Sequence, residues 1–203
     1  MLQHPAAVRA ALDDAAATML ATIELVEPHQ WDLPALGMWT VRELTAHTLR
    51  AFTTIERYLS AEPHVDRIVD DAADYYRVAL ADPKVHGVVA ERGRAAGVDL
   101  TDPLGEAEVT AQRVLALVAS TADDEVVNTS VGQMMFVEYL ATRVAEVALH
   151  TLDLQRACGQ PTSLAASTSA VVVALMAELA DPVMLLLALT GRGSLPTDYN
   201  VLQ

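Results

Sequence analysis

Glu146 and His150 stand four residues apart in the stretch FVEYLATRVAEVALHTLDLQRA. On a helix that spacing places both side chains on one face, a turn from each other. A carboxylate oxygen and an imidazole nitrogen so arranged are two ligands for a divalent cation, which accepts both at about 2.0–2.2 Å when it is zinc. Asp153 follows three residues later on the same side and could take the second ring N–H of a ligating histidine. A Glu and a His at this spacing are also a common surface ion pair. The neighbours argue against that reading here. Val144, Ala145, Val147, Ala148 and Leu149 make the stretch apolar nearly all round, and such helices are buried. A buried carboxylate needs a partner, and a metal would serve.

A further candidate ligand lies in WTVRELTAH. His47 lies two turns into its own helix among Leu44, Ala46 and Leu49. Taken alone, a histidine there reads more readily as a hydrogen-bonded core residue. Glu43, four residues earlier, is explained by a capping box with Thr40 and is set aside as a ligand. The pair also lacks the Glu-x-x-His spacing of di-iron bundles. Arg143 shares the stripe of Glu146 and His150, Tyr139 lies one turn before it, and Arg50 is three residues past His47. These three could grip an anionic ligand, although ordinary ion pairing would also account for the arginines. His4, His29, His64 and His86 fall near helix ends or turns and are expected in solvent. Cys158 is expected to be a buried structural thiol.

Helices must position these residues. The pattern predicts helices over about 5–27, 40–59, 64–81, 85–96, 102–122, 134–158 and 164–180, continued over 182–189 after a break. Residues 28–39 form a loop holding both tryptophans, 125–133 an extended connector, and 191–203 a tail. There is no internal repeat. Several long helices and no strong strand signal mean an all-α bundle. Residues 1–203 read as one domain.

Composition agrees. Apolar residues make up 52% of the 203-residue chain, but aromatics only 4%, which suits helices packed closely on small side chains. The net charge is −14, from 13 basic and 27 acidic side chains. That disfavours nucleic acid and anionic lipid surfaces as partners. With one cysteine, no disulfide can form within the chain, and the expected compartment is the cytoplasm. No apolar run is long enough to span a bilayer.

The stretch Trp39–His47, followed some hundred residues on by Glu146-Val147-Ala148-Leu149-His150-Thr151-Leu152-Asp153-Leu154, resembles the metal-binding domain of mycothiol-dependent maleylpyruvate isomerases. These belong to the DinB-like superfamily. The likeness extends over nearly the whole chain, including Leu189–Arg192. It implies a DinB-like four-helix bundle with long crossover segments and additional short helices. It also implies His47, Glu146 and His150 as ligands of one metal with open coordination positions. Zinc leads on ligand chemistry, and nickel or iron(II) would accept the same set. In the isomerases mycothiol is the thiol cofactor, activated at the metal to add to a cis double bond and leave after rotation. They carry a second, C-terminal domain that helps form the substrate site, whereas this sequence stops at Gln203. The expectation is therefore another thiol-dependent transfer or isomerisation, or metal-assisted hydrolysis. Its partners would be a small thiol, a small anionic substrate, or both, with the protein a monomer or a homodimer. The alternative is a non-catalytic metal- or small-molecule-binding bundle, a sensor or detoxification partner.

Overall fold

A computed structural model describes residues 4–63, 66–81 and 100–202. Seven α-helices occur among them. The first, α1 (Pro5–Glu24), has proline in its opening turn, and the His4 side chain accepts the Ala6 N–H ahead of it. Its buried residues Val8, Leu12, Ala15, Met19 and Ile23 recur at helical spacing. Helix α2 (Val41–Leu59) begins at the predicted capping box. Thr40 Oγ1 accepts the Glu43 N–H at 3.3 Å, and Glu43 Oε2 accepts the Thr40 N–H at 2.8 Å. After α3 (Ala72–Leu80), α4 (Pro103–Ser120) is capped by Asp102, whose side chain accepts the Gly105 N–H. Helix α5 (Phe136–Ala157) is the longest. Helices α6 (Ala166–Leu179) and α7 (Pro182–Leu189) complete the set, and no residue of α7 is fully buried.

Four of these helices close a ring: α1 packs on α5, α5 on α2, α2 on α4, and α4 on α1. This is an all-α, DinB-like bundle, with α6 laid against α1 and α5, and α3 against α5 and α6. Many of its contacts are made by alanines. Ala11, Ala15, Ala46, Ala107, Ala111, Ala145 and Ala148 are all buried, so the helices approach without bulky side chains between them. Fifteen residues of α5 are buried, on nearly every side of the helix. That is why its polar side chains are held in fixed surroundings. None of the described helices is long and apolar enough to cross a membrane.

Two predicted elements differ. Residues 66–70 are extended rather than helical. Gln133 N–H donates to Arg67 O and Val69 N–H to Gln133 O, each at 2.8 Å, and Asp71 then caps α3 by accepting the Asp74 N–H. The chain here is tied to a hairpin before its helix starts. That hairpin is the second difference. The predicted connector contains β1 (Val126–Asn128) and β2 (Gln133–Met135), paired antiparallel with Val127 opposite Met134. Met134 therefore belongs to a strand, and α5 starts two residues later. Gly132 has φ +149°, and a Cβ there would lie 2.7 Å from Arg67 O, so this close approach requires glycine. The predicted helix over 85–96, His64 and His86 lie outside the described residues.

The cap at Thr40 fixes where the helix carrying His47 begins. Replacing Thr40 with Ala should cost about 1 kcal/mol of stability. Urea denaturation should show a lower midpoint with an unchanged slope.

Candidate metal centre

His47 is carried by α2, and Glu146 and His150 by α5, two helices that pack directly on each other. One ligand atom from each of the three lies within 4.8 Å of the others. The two imidazole centroids are 4.9 Å apart with the rings inclined at 76°. His150 Nε2 faces Glu146 Oε2 at 3.5 Å, and its Nδ1 faces Asp153 Oδ2, also at 3.5 Å. The side chains of His150 and Glu146 keep 15% and 27% of their exposure, so the cluster is enclosed but reachable from solvent.

Residues from two other segments complete it. The loop after α1 folds back so that Arg42 and Val41 N–H groups donate to Trp31 O and Leu33 O, each at 3.0 Å. This seats Trp39 among Val26, Val41, Leu44 and Leu154. The Trp39 ring lies 4.4 Å from that of His47 and covers it. From α3, the Tyr76 hydroxyl donates to Glu146 Oε1 at 2.9 Å.

The charge states follow from these contacts. Burial, reinforced by the nearby His150 charge, lowers the His47 pKa to about 4, so this imidazole is neutral at pH 7. Burial would also lower His150, but its contacts with Asp153 and Glu146 outweigh that and raise it to about 9. Burial would raise Glu146. His150, Arg143 and Tyr76 together overcome it and hold the carboxyl well below the usual carboxylate range.

These residues fit a divalent cation. His47 Nδ1 and His150 Nδ1 are both buried with no hydrogen-bond partner, an arrangement that costs free energy unless a ligand or ion engages the rings. The donors are one carboxylate and two imidazoles, a ligand set known for zinc. Among the described residues, no fourth metal-binding side chain joins the group.

The structure brings His47, Glu146, His150 and Asp153 together. Arg143 sits one turn before Glu146, and the Arg50 charge is near enough to depress the basicity of His47. Tyr139 is placed differently from its predicted ligand-gripping role. Its side chain is fully buried, and its hydroxyl donates to Thr54 Oγ1 at 2.9 Å. Its ring instead supports Arg143, whose guanidinium carbon lies 4.9 Å from the ring centre. Glu43 is spent on the cap, as expected. Cys158 is half-buried at the end of α5, and burial raises its thiol pKa. Tyr75, Tyr76 and the cover by Trp39 were not singled out from sequence. The available signal was the adjacent tyrosine pair in a chain with five tyrosines in all.

Fold and cluster together define a four-helix bundle with an interior His-Glu-His triad shared by two helices. The chain belongs to the family of the mycothiol maleylpyruvate isomerase N-terminal domain, whose model matches residues 12–155. That span includes all three triad residues and Asp153. No match was found among curated proteins or solved structures.

Ligation requires unprotonated imidazoles. His150, raised above its ordinary 6.5, carries a proton in the metal-free protein at neutral pH. The stabilisation this proton brings is complete below 6.5 and is lost as pH rises through about 9. His47, lowered to about 4, carries none. Zinc binding at about pH 7.5 should therefore release about one proton, falling to none above about pH 10. Calorimetry in buffers of differing ionisation enthalpy measures this number. Two protons, or none, at pH 7.5 would contradict the assigned charge states.

Proposed function

We propose that this protein holds one divalent metal ion, zinc in the first instance, on His47, Glu146 and His150, and uses it in a thiol-dependent transfer or isomerisation. The observation that carries the reading is the convergence of three ligand atoms from α2 and α5 within 4.8 Å. A bound divalent cation would supply Lewis acidity, lowering the pKa of a thiol or water beside it. Family membership makes mycothiol the first thiol to test. Nickel and iron(II) suit the same donors.

The chain's own residues each have a defined task in this reading. His47 is presented neutral, ready to ligate, and Trp39 keeps its ring from turning. Tyr76 holds Glu146 Oε1 by a hydrogen bond, leaving Oε2 on the His150 side. Asp153 Oδ2 stands 3.5 Å from His150 Nδ1, within reach to orient the ring once the metal is bound, and partners of this kind fix tautomer and ring direction. Three protein ligands rather than four favour catalysis over a purely structural role. The partial exposure of Glu146 and His150 gives a small molecule its approach.

Elemental analysis of purified protein should find about one ion per chain. His47→Ala and His150→Ala should lose it, and Asp153→Ala should weaken affinity about 10–100-fold. Equal metal content in the wild type and both histidine variants would overturn the assignment. Calorimetric titration with mycothiol should then show binding to the metal-loaded protein and not to the metal-stripped one. Equal binding to both would remove the thiol from the metal's vicinity.

A further inference from the structure

The triad does not exhaust the polar chemistry at this end of the bundle. Arg143 is only 8% exposed. Of its five N–H donors, Nε is used, donating to Thr142 Oγ1 at 3.0 Å. No carboxylate among the described residues pairs with it, and its terminal nitrogens have no protein acceptor there. The nearest acid along the helix, Glu146, is engaged elsewhere: Oε1 accepts from Tyr76, and Oε2 faces His150. The guanidinium is instead flanked by aromatic rings, with its carbon 4.9 Å from the Tyr139 centre and 5.8 Å from that of Tyr75. Ring faces attract a cation but do not satisfy a fork of N–H groups. The terminal nitrogens are not sealed off, so an incoming acceptor can reach the unused donors.

Four tyrosines surround it, and three hydroxyls are committed. Tyr58 donates to Ser130, Tyr76 to Glu146, and Tyr139 to Thr54. The Tyr75 hydroxyl has no partner among the described residues. Arg57, stacked at 4.6 Å on Tyr58, adds positive charge to the same wall. In a chain of net charge −14, this is a local concentration of cations. A divalent ion at the triad would intensify it, and such a well draws anions.

We propose that Arg143 and Tyr75 form a carboxylate-binding subsite beside the triad, seating the acidic end of a small substrate whose other end reaches the metal position. The proposal rests on the metal reading for that second contact. A carboxylate matches a planar guanidinium by two parallel hydrogen bonds. The neutral Tyr75 hydroxyl can supply a third. One guanidinium suits a monoanionic group better than a dianionic phosphate, because Glu146 a turn away repels excess negative charge.

Succinate is the probe, and succinamide its uncharged control. Metal content is measured first, and each zinc-loaded protein is then titrated by calorimetry. Wild type should bind succinate and not succinamide. Arg143→Met should keep its metal and lose about tenfold or more in succinate affinity, and Arg143→Lys should fall between, because it keeps charge but loses the fork. Tyr75→Phe, which retains the ring, should lose about fivefold. Equal succinate affinity in wild type and Arg143→Met at equal metal content overturns the subsite. So does the absence of wild-type binding up to about 10 mM. If Arg143→Met does not fold, Tyr75→Phe carries the test, and an unchanged affinity there overturns it. A wild type that holds no metal but still binds succinate through Arg143 would defeat the metal reading and leave the subsite standing.

Discussion

A carboxylate inside a helical bundle must be stabilised from several directions at once, and Glu146 sets this requirement for the whole molecule. Water is largely excluded, so the charge has to be met by protein groups. His150 meets it from one turn along the same helix, and Tyr76 meets it from α3. Arg143 contributes its charge from the preceding turn. Tyr76 and Arg143 are themselves buried and His150 is mostly enclosed, so each brings its own requirement. His150 needs Asp153, and Arg143 leans on two aromatic rings. The polar region is therefore a linked network in which removing one member leaves another unsatisfied.

The bundle makes that network rigid. Helix α5 is packed against α1, α2, α3 and α6, which leaves its polar side chains only a narrow opening to solvent. Alanines at the helix contacts bring backbones close and fix the distance between α2 and α5. The Thr40–Glu43 cap fixes where α2 starts and hence how high His47 sits opposite Glu146. Trp39 then limits the one rotation left to the imidazole. Backbone register, helix spacing and ring packing are three separate constraints on one nitrogen. Sites of this precision depend on such supporting layers.

What could be read in the sequence was what is local. The capping box, the four-residue spacing of Glu146 and His150, and Asp153 three residues on all depend on helix geometry alone. The apolar neighbours of Glu146 foretold its enclosure, although its side chain keeps 27% of its exposure. His47 could be joined to them only by resemblance, because no local rule states which helices face each other. Tyr75 and Tyr76 were illegible for the same reason. They sit on a short helix whose placement depends on Arg67 and Val69 pairing with Gln133, a long-range contact. The hairpin itself was half visible. Val126, Val127 and Thr129 are β-prone, but the pairing partner included Met134, which helical periodicity had claimed for α5. The expected role of Tyr139 failed because a tyrosine on the right stripe can point into the core as readily as into a cleft. Only the position of Thr54 decides which.

The distribution of aromatic residues adds a final constraint. A core this rich in alanine and valine has little need of large rings, and the chain uses few. Yet Tyr58, Tyr75, Tyr76 and Tyr139 gather around one arginine, with ring centroids 5.5–6.2 Å apart. Tyrosine is a poor choice for filling space unless its hydroxyl finds a partner, since a buried unpaired hydroxyl is destabilising. Three of the four pairings are made within the protein, and they tie α2 and α3 to α5 and the hairpin. Phenylalanine would have supplied the same apolar area without needing any of them. What the tyrosines add is polarisable walls for a buried cation and fixed donors at their edges. That combination stabilises Arg143 without neutralising it, as an aspartate or glutamate partner would have done. A guanidinium held this way keeps its charge available, one helical turn from the triad.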